Sequence, residues 1–245
     1  MKSLSLFFQL GTVASLGIVT IGCGSSAQKP SQVMLDVKEV KITPQNQRSL
    51  FPITVGNSWV YTMEASAQSL KNPKKSMTGV LGYRVVKVLK VAPFAVRATI
   101  EVFLGGKKTD EQDWVMDDKG LFLVSTGAVK KAYSPRQPIL KFPLKDQDNF
   151  KWEGTGSTPI GKPGKMTYAF KYDGMQNADT DMGQMNAAFM QSVGAFKTDG
   201  GEIGKMGVNS WYSPGVGLVR YKQEIELKGA ATSITLRLKS YNVVK

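Results

Sequence analysis

The chain has 245 residues, with 32 Lys and Arg against 19 Asp and Glu, a formal net charge of +13, one cysteine and no histidine. No His-containing triad, Cys–His dyad or His-ligated zinc or haem site can be built from it alone, and one cysteine cannot form an intramolecular disulfide. A hydrophobic fraction of 42% places the chain among neither disordered nor polytopic membrane proteins.

The first predicted element is a targeting segment. Met1-Lys2 is a charged start, Leu4 to Ile21 is an apolar run, and Gly22-Cys23 follows, leading into polar Gly24-Ser25-Ser26. A charged start, an apolar middle and a small residue at the cut describe a secretory signal over residues 1–22. With cysteine directly after Gly22, the segment resembles a bacterial lipoprotein signal, although Thr20 stands where that family usually has Leu. The resemblance implies cleavage before Cys23, a diacylglycerol on its sulfur and acylation of the new amine. Such chains anchor stably, which a single acyl chain does not. The alternative is an ordinary signal peptide with a chance cysteine. Cleavage would leave 245 − 22 = 223 residues with charge +12. By the same resemblance, Gly24 rather than Asp after the cysteine implies the outer membrane, facing the periplasm, in a two-membrane cell. In a one-membrane cell it implies the outer face of the cell membrane.

Residues 23–49 hold Pro30, Pro44 and several Gln, Ser and Lys, and are predicted to be a polar tether. Within them Val33, Leu35 and Val37 alternate with polar residues, which suits a short strand. Residues 50–245 are predicted to form one β-rich domain, because the dominant hydrophobic period is two. Val55-Gly56-Asn57 reads as a turn before a strand at 58–62. In 94–104, Phe94, Val96, Ala98, Ile100, Val102 and Leu104 share a face opposite Arg97, Thr99 and Glu101. Gly105-Gly106 turns that strand back into 113–116, and Asp117-Asp118-Lys119-Gly120 turns again into 121–124. Further strands are predicted at 166–172, 219–227 and 234–238. The expected fold is mainly β, ten to twelve strands in an antiparallel meander, forming a twisted, curved sheet or half-barrel. One segment breaks the period. Met182, Met185, Phe189, Met190 and Val193 fit helical spacing, with Gly194 as a stop, predicting a short helix at about 182–193 that covers the concave face, although Ala187-Ala188-Phe189-Met190 also suits a strand.

Two motifs carry a second resemblance. Phe51-Pro52-Ile53-Thr54-Val55-Gly56-Asn57-Ser58-Trp59 opens the domain, and Trp211-Tyr212-Ser213-Pro214-Gly215-Val216-Gly217-Leu218-Val219 closes it. The pair resembles a loose group of uncharacterised bacterial secreted proteins and lipoproteins. That resemblance implies a half-barrel similar in outline to the LolA/LolB carriers, and no defined activity. The turn chemistry of Pro214 to Gly217 is itself mainly structural.

Candidate chemistry is sparse. Asp110, Glu111, Asp113, Asp117 and Asp118 could supply a carboxylate pair for hydrolysis, provided that two converge. Asn177, Asp179 and Asp181 alternate like a calcium loop, but Ala188 occupies the bidentate glutamate position. Met175, Met182, Met185, Met190 and Met206 could offer soft ligands to Cu(I) or simply fill apolar gaps. Lys71, Lys74 and Lys75 form one basic cluster, and Lys130, Lys131 and Arg136 another. The expectation is a membrane-anchored, non-enzymatic envelope lipoprotein without cofactor or metal, lipidated at Cys23. It would bind an apolar or anionic envelope component, a lipid or a polymer, through a groove at Met182, Met185, Phe189, Met190, Trp211 and Tyr212. A structural module without ligand is the alternative. Nucleic acid is not an expected partner, and no protein partner is indicated.

Overall fold

The structure, a computed structural model, describes residues 42–43, 46–70, 72–127 and 131–244. The signal segment, Cys23, the strand suggested at 33–37, Lys71 and Lys130 lie outside the described residues.

A 3-10 turn, Gln47–Leu50, precedes twelve strands. They are β1 Ser58–Ser69, β2 Asn72–Ala92, β3 Ala95–Leu104, β4 Lys107–Asp117, β5 Gly120–Thr126 and β6 Lys131–Lys141. The second half contains β7 Asn149–Ser157, β8 Pro163–Thr180, β9 Gly183–Thr198, β10 Ile203–Ser213, β11 Gly217–Leu227 and β12 Ala230–Asn242. Each strand pairs antiparallel with its sequence neighbours, and β1 also pairs with β12, from Ser58↔Asn242 to Ser69↔Ala230. The expected antiparallel β-meander is therefore present, and its curvature runs on until the sheet closes into a barrel. Hydrophobic alternation fixes which face of a strand is dry, but it is silent on whether the first and last strands meet.

The period-two pattern has its usual consequence. Along β8, Met166, Tyr168, Phe170 and Tyr172 are buried while Lys165, Thr167 and Ala169 are exposed. The dry face points inward and the charged face outward, the reverse of a barrel that spans a membrane with its strands.

The predicted helix at 182–193 is strand β9. It pairs with β8 through Asn177↔Asn186 and Ala169↔Val193, and with β10 through Trp211↔Phe189. Helical and strand spacing overlap in such a Met-rich run, and the two neighbouring ladders decide the outcome because they satisfy both edges of its backbone. Gly194, which reads as a helix stop, is a packing glycine. A Cβ there would lie 1.9 Å from Tyr168 Cδ1 and 2.4 Å from the Thr167 carbonyl oxygen.

Three departures from a regular barrel shape the site. First, the turn 47–50 plugs the end at which β1 begins. Leu50 is fully buried, and the Phe51 ring stacks on Trp59 at 5.1 Å and on Trp114 at 4.9 Å. Second, β8 and β9 outrun their neighbours. β10 reaches only to Tyr212↔Ala188, so the rest of the hairpin forms an arm beyond a register shift at Tyr172/Met175. The arm folds over the outer wall, where the Asp181 amide donates to the Leu238 carbonyl at 2.9 Å. The Asp181 carboxylate takes Arg237 Nε at 3.1 Å and the Thr62 hydroxyl. Third, β6 and β7 are joined by a single pair, Ser134↔Thr155. Pro135 and Pro138 on β6 carry no N–H, so this strand cannot donate a full ladder, and the wall has a seam there.

Candidate functional site inside the barrel

Inward-facing side chains of ten strands enclose a cavity of about 150 Å³. Its aromatic lining includes Trp59, Tyr61, Tyr83, Trp114, Tyr133, Tyr168, Phe170, Tyr212 and Tyr221. Polar lining comes from Gln112, Thr126, Gln137, Gln191, Ser192, Ser210 and Gln223. Gln137, Pro138 and Ile139 of β6 put one side of the cavity at the seam. Large aromatics fill a twelve-stranded circumference that aliphatic side chains alone would leave hollow, and the space remaining is narrow.

The polar groups fall into two kinds. Some are already engaged. Trp114 Nε1 donates to Gln112 Oε1 at 2.9 Å, Tyr61 Oη donates to the Leu218 carbonyl at 2.9 Å, and Tyr133 Oη donates to the Ser157 carbonyl at 3.1 Å. Gln223 is incompletely engaged. Its Nε2 meets only Met206 Sδ, at 3.0 Å, and its buried Oε1 has no hydrogen-bond partner. An orphaned amide oxygen in a dry interior costs about 1–3 kcal/mol, so it is an acceptor waiting for a donor.

Burial holds the phenols neutral. It raises Tyr83 well above the ordinary tyrosine value, with Tyr61, Tyr221, Asp110 and Tyr212 adding to the shift. Burial likewise raises Tyr168 and Tyr221, each helped by Tyr133 among its neighbours, and raises Tyr212. Tyr133 is pushed up to about 12, again by burial first, with Asp110 adding. Neutral phenols can donate a hydrogen bond; Tyr61 and Tyr133 spend theirs on backbone carbonyls, and Tyr83, Tyr168 and Tyr221 bring further hydroxyls to an otherwise apolar slot.

The residues singled out from sequence divide between two places. Met190 and Tyr212 line the cavity, together with Met206. Trp211, adjacent to Tyr212 in a strand, points the other way and stacks on Phe189 at 4.7 Å on the outer wall, with the Arg220 guanidinium 5.1 Å from its ring centre. Met185 shares the Phe189 face of β9 and is buried in the outer half of the arm, opposite Ala178, while Met182 is exposed at the arm's tip. The six therefore do not form one groove, and the arm covers the outer wall, not the interior.

The acidic cluster is split in the same way. Asp110 is on the inner face of β4 beside Gln112, whereas Glu111, Asp113 and Asp117 are on the outer face. Asp113 takes Arg97 at 2.8 Å, Thr99 at 2.9 Å and Ser125 at 3.2 Å. Asp117 caps its own turn through the Lys119 and Gly120 amides and pairs with Arg136 at 2.5 Å. Glu111 pairs with Lys108 at 2.8 Å. These carboxylates serve wall and turn, and Asp110 is separated from the rest by the sheet itself. Asp179 and Asp181 pair with Arg220 and Arg237, and no group of three metal-binding carboxylate or thiol side chains occurs among the described residues.

Sequence reading passed over most of the cavity wall. Tyrosines in an alternating strand look like ordinary core. The usable signal is a polar residue on the dry phase: Gln223 falls between Tyr221 and Ile225, and Gln112 shares its phase with Trp114 and Met116.

No family model and no curated protein matches the chain. Solved structures with some likeness include a Bacteroides fragilis protein described as exported and with a YmcC-like fold, at 14% identity and TM-score 0.49, covering 78% of this chain and 98% of that one. A candidate lipoprotein from Parabacteroides distasonis gives 16% identity and TM-score 0.46, covering 79% and 98%. The hypothetical lipoprotein YmcC from Escherichia coli gives 9% and 0.33, covering 76% and 89%. At these scores and identities the likeness carries no argument about what this chain does.

Proposed function

We propose that this is a lipid-anchored, non-enzymatic protein of the cell envelope. Residues 1–22 direct export, Cys23 carries the lipid, and the residues between it and the 3-10 turn at 47–50 tether the β-domain. The barrel binds a slender, mainly apolar molecule that bears hydrogen-bonding groups. The cavity carries this reading, through its aromatic walls, its neutral phenols and the orphaned Gln223 Oε1. Its volume of about 150 Å³ is that of a dry cavity able to take a benzene-sized group, and it is below the range of drug-sized pockets. The occupant is therefore narrow. The first turns of a single acyl chain fit this description, with the β6–β7 seam as the way in.

Native mass spectrometry of protein extracted from its own membranes tests the proposal, alongside uptake of a fatty acid or lysophospholipid by delipidated protein. A solvent-releasable mass in the native sample, or saturable uptake, is expected. A protein that leaves the cell empty and takes up neither probe overturns it. That result would favour a structural module without a small ligand, a reading which the small size of the cavity supports. Incorporation of a labelled lipid precursor, lost in Cys23→Ser, tests the anchor separately.

A further inference from the structure

The two ends of the barrel differ. The end at which β1 begins also holds the 3-10 turn, the β2–β3 hairpin tip and the last residues of the chain. Residues 46–50 are fixed there: Arg48 Nη2 donates to the Phe94 carbonyl at 3.0 Å, and the Ser49 carbonyl accepts the Gly215 amide at 2.8 Å. The chain that leads back to Cys23 therefore leaves the domain beside the β2–β3 tip.

That tip is apolar and exposed. Leu89, Val91 and Phe94 are all exposed, Phe94 at 74%. The patch continues across the neighbouring turn. The Gly56 amide donates to the Val85 carbonyl at 2.9 Å, and a Cβ on Gly56 would touch Val244 at 3.9 Å. Exposed Val55 and Val244 thus adjoin the base of the hairpin. Lys87 and Lys90 are interleaved with the apolar residues, and among the described residues neither has a carboxylate partner. A ladder of Leu, Lys, Val and Phe projecting from a strand tip places apolar side chains outward and basic heads within reach of phosphate.

We infer that this end of the barrel docks on an anionic phospholipid surface, with the 89–94 tip entering the headgroup region. The inference rests on the proposed anchor at Cys23. Ile42 already packs against the core, so the 18 residues Gly24–Lys41 are what spans the gap, and they reach at most about 65 Å when fully extended. The domain is thus held near the bilayer, and the tether leaves from the same end as the apolar patch. Each lysine near the surface adds attraction to anionic lipid. The opposite rim also carries exposed apolar side chains beside exposed Lys74 and Lys75, but the tether does not leave from it. Leu70, 91% exposed, projects there from the β1–β2 turn and serves as the matched control.

The test uses the full chain purified with its anchor and reconstituted in phosphatidylethanolamine–phosphatidylglycerol vesicles. Phe94→Cys, and separately Val91→Cys and Leu70→Cys, receive an environment-sensitive fluorophore. Quenching by spin-labelled lipid is expected to be about twofold or more stronger at 91 and 94 than at 70. Lys87→Glu with Lys90→Glu should reduce that difference. Equal quenching at both rims overturns the inference, as does a blue shift at 94 that appears without vesicles and dilutes away, since a second copy would then occupy the tip. A failed anchor shows itself differently: Cys23 would itself react with the label.

Discussion

Trp59 Nε1 donates a hydrogen bond to the Val216 carbonyl at 2.5 Å, across 157 positions of sequence. One turn of pleat further, Tyr61 Oη donates to the Leu218 carbonyl at 2.9 Å. The two motifs that stand out at either end of the domain are therefore two halves of one contact. Gly217 completes it. Its φ of +109° and the approach of Trp59 Nε1, 3.0 Å from where a Cβ would lie, leave no room for a side chain.

Breaking this contact should cost stability in proportion to what each change leaves unpaired. Tyr61→Phe should lose about 1 kcal/mol, Gly217→Ala about 1–3, and Trp59→Phe about 2–4 because it also shrinks a buried ring. Urea denaturation measures all three. An unchanged midpoint for Trp59→Phe would show that the motifs do not hold the barrel's plugged end.

Two glycines of the same wall should behave oppositely. Gly194→Ala puts a methyl 2.4 Å from a backbone oxygen and should destabilise by several kcal/mol or prevent folding. Gly207, paired in the next strand, has nothing within 4 Å of where a Cβ would lie, so Gly207→Ala should be near neutral. Thermal melts of the pair decide this, and similar losses for both would contradict the packing described.

Gln223 sets stability against binding. Gln223→Leu removes the orphaned Oε1 at little change in volume, and should raise stability by about 1–2 kcal/mol. The same change should weaken uptake of any ligand that donates to that oxygen. A variant that is both less stable and fully competent in uptake would mean that Gln223 has a partner of another kind.

Alkali should unfold the protein early. The buried tyrosines bind their protons more tightly folded than unfolded, so their contribution is complete below pH 10 and is lost as pH rises. Tyr133, raised from 10.0 to about 12, alone accounts for a loss of roughly 2–3 kcal/mol across that interval at about 1.4 kcal/mol per unit. Tyr83, Tyr168, Tyr212 and Tyr221 are raised in the same direction. Urea midpoints should be flat from pH 8 to 9 and fall steeply above 10. A flat curve to pH 11 would place these phenols in water.

Much of the fold was legible in the chain because strand alternation is a local property. The faces of 96–104, 166–172 and 234–238, and the turns at Gly105-Gly106 and Asp117–Gly120, follow from side chains two residues apart and from turn chemistry, whereas Phe94, expected on the dry face, is exposed at the β2–β3 tip. Residues 182–193 were not legible, because methionine spacing there suits helix and strand alike until β8 and β10 supply partners.

The absence of histidine, the single cysteine behind Gly22 and the charge of +13 are fixed by sequence alone. So is the two-residue period that makes the chain a β-protein. Closure was decided only in three dimensions. It depends on β1 meeting β12, on two prolines leaving a seam between β6 and β7, and on Phe51 plugging one end. The site arose the same way. Strand alternation sends Tyr212 inward and Trp211 outward, Asp110 inward and Asp113 outward, so neighbours in sequence became strangers in space. Side chains from ten strands then formed a cavity that no single stretch of sequence contains.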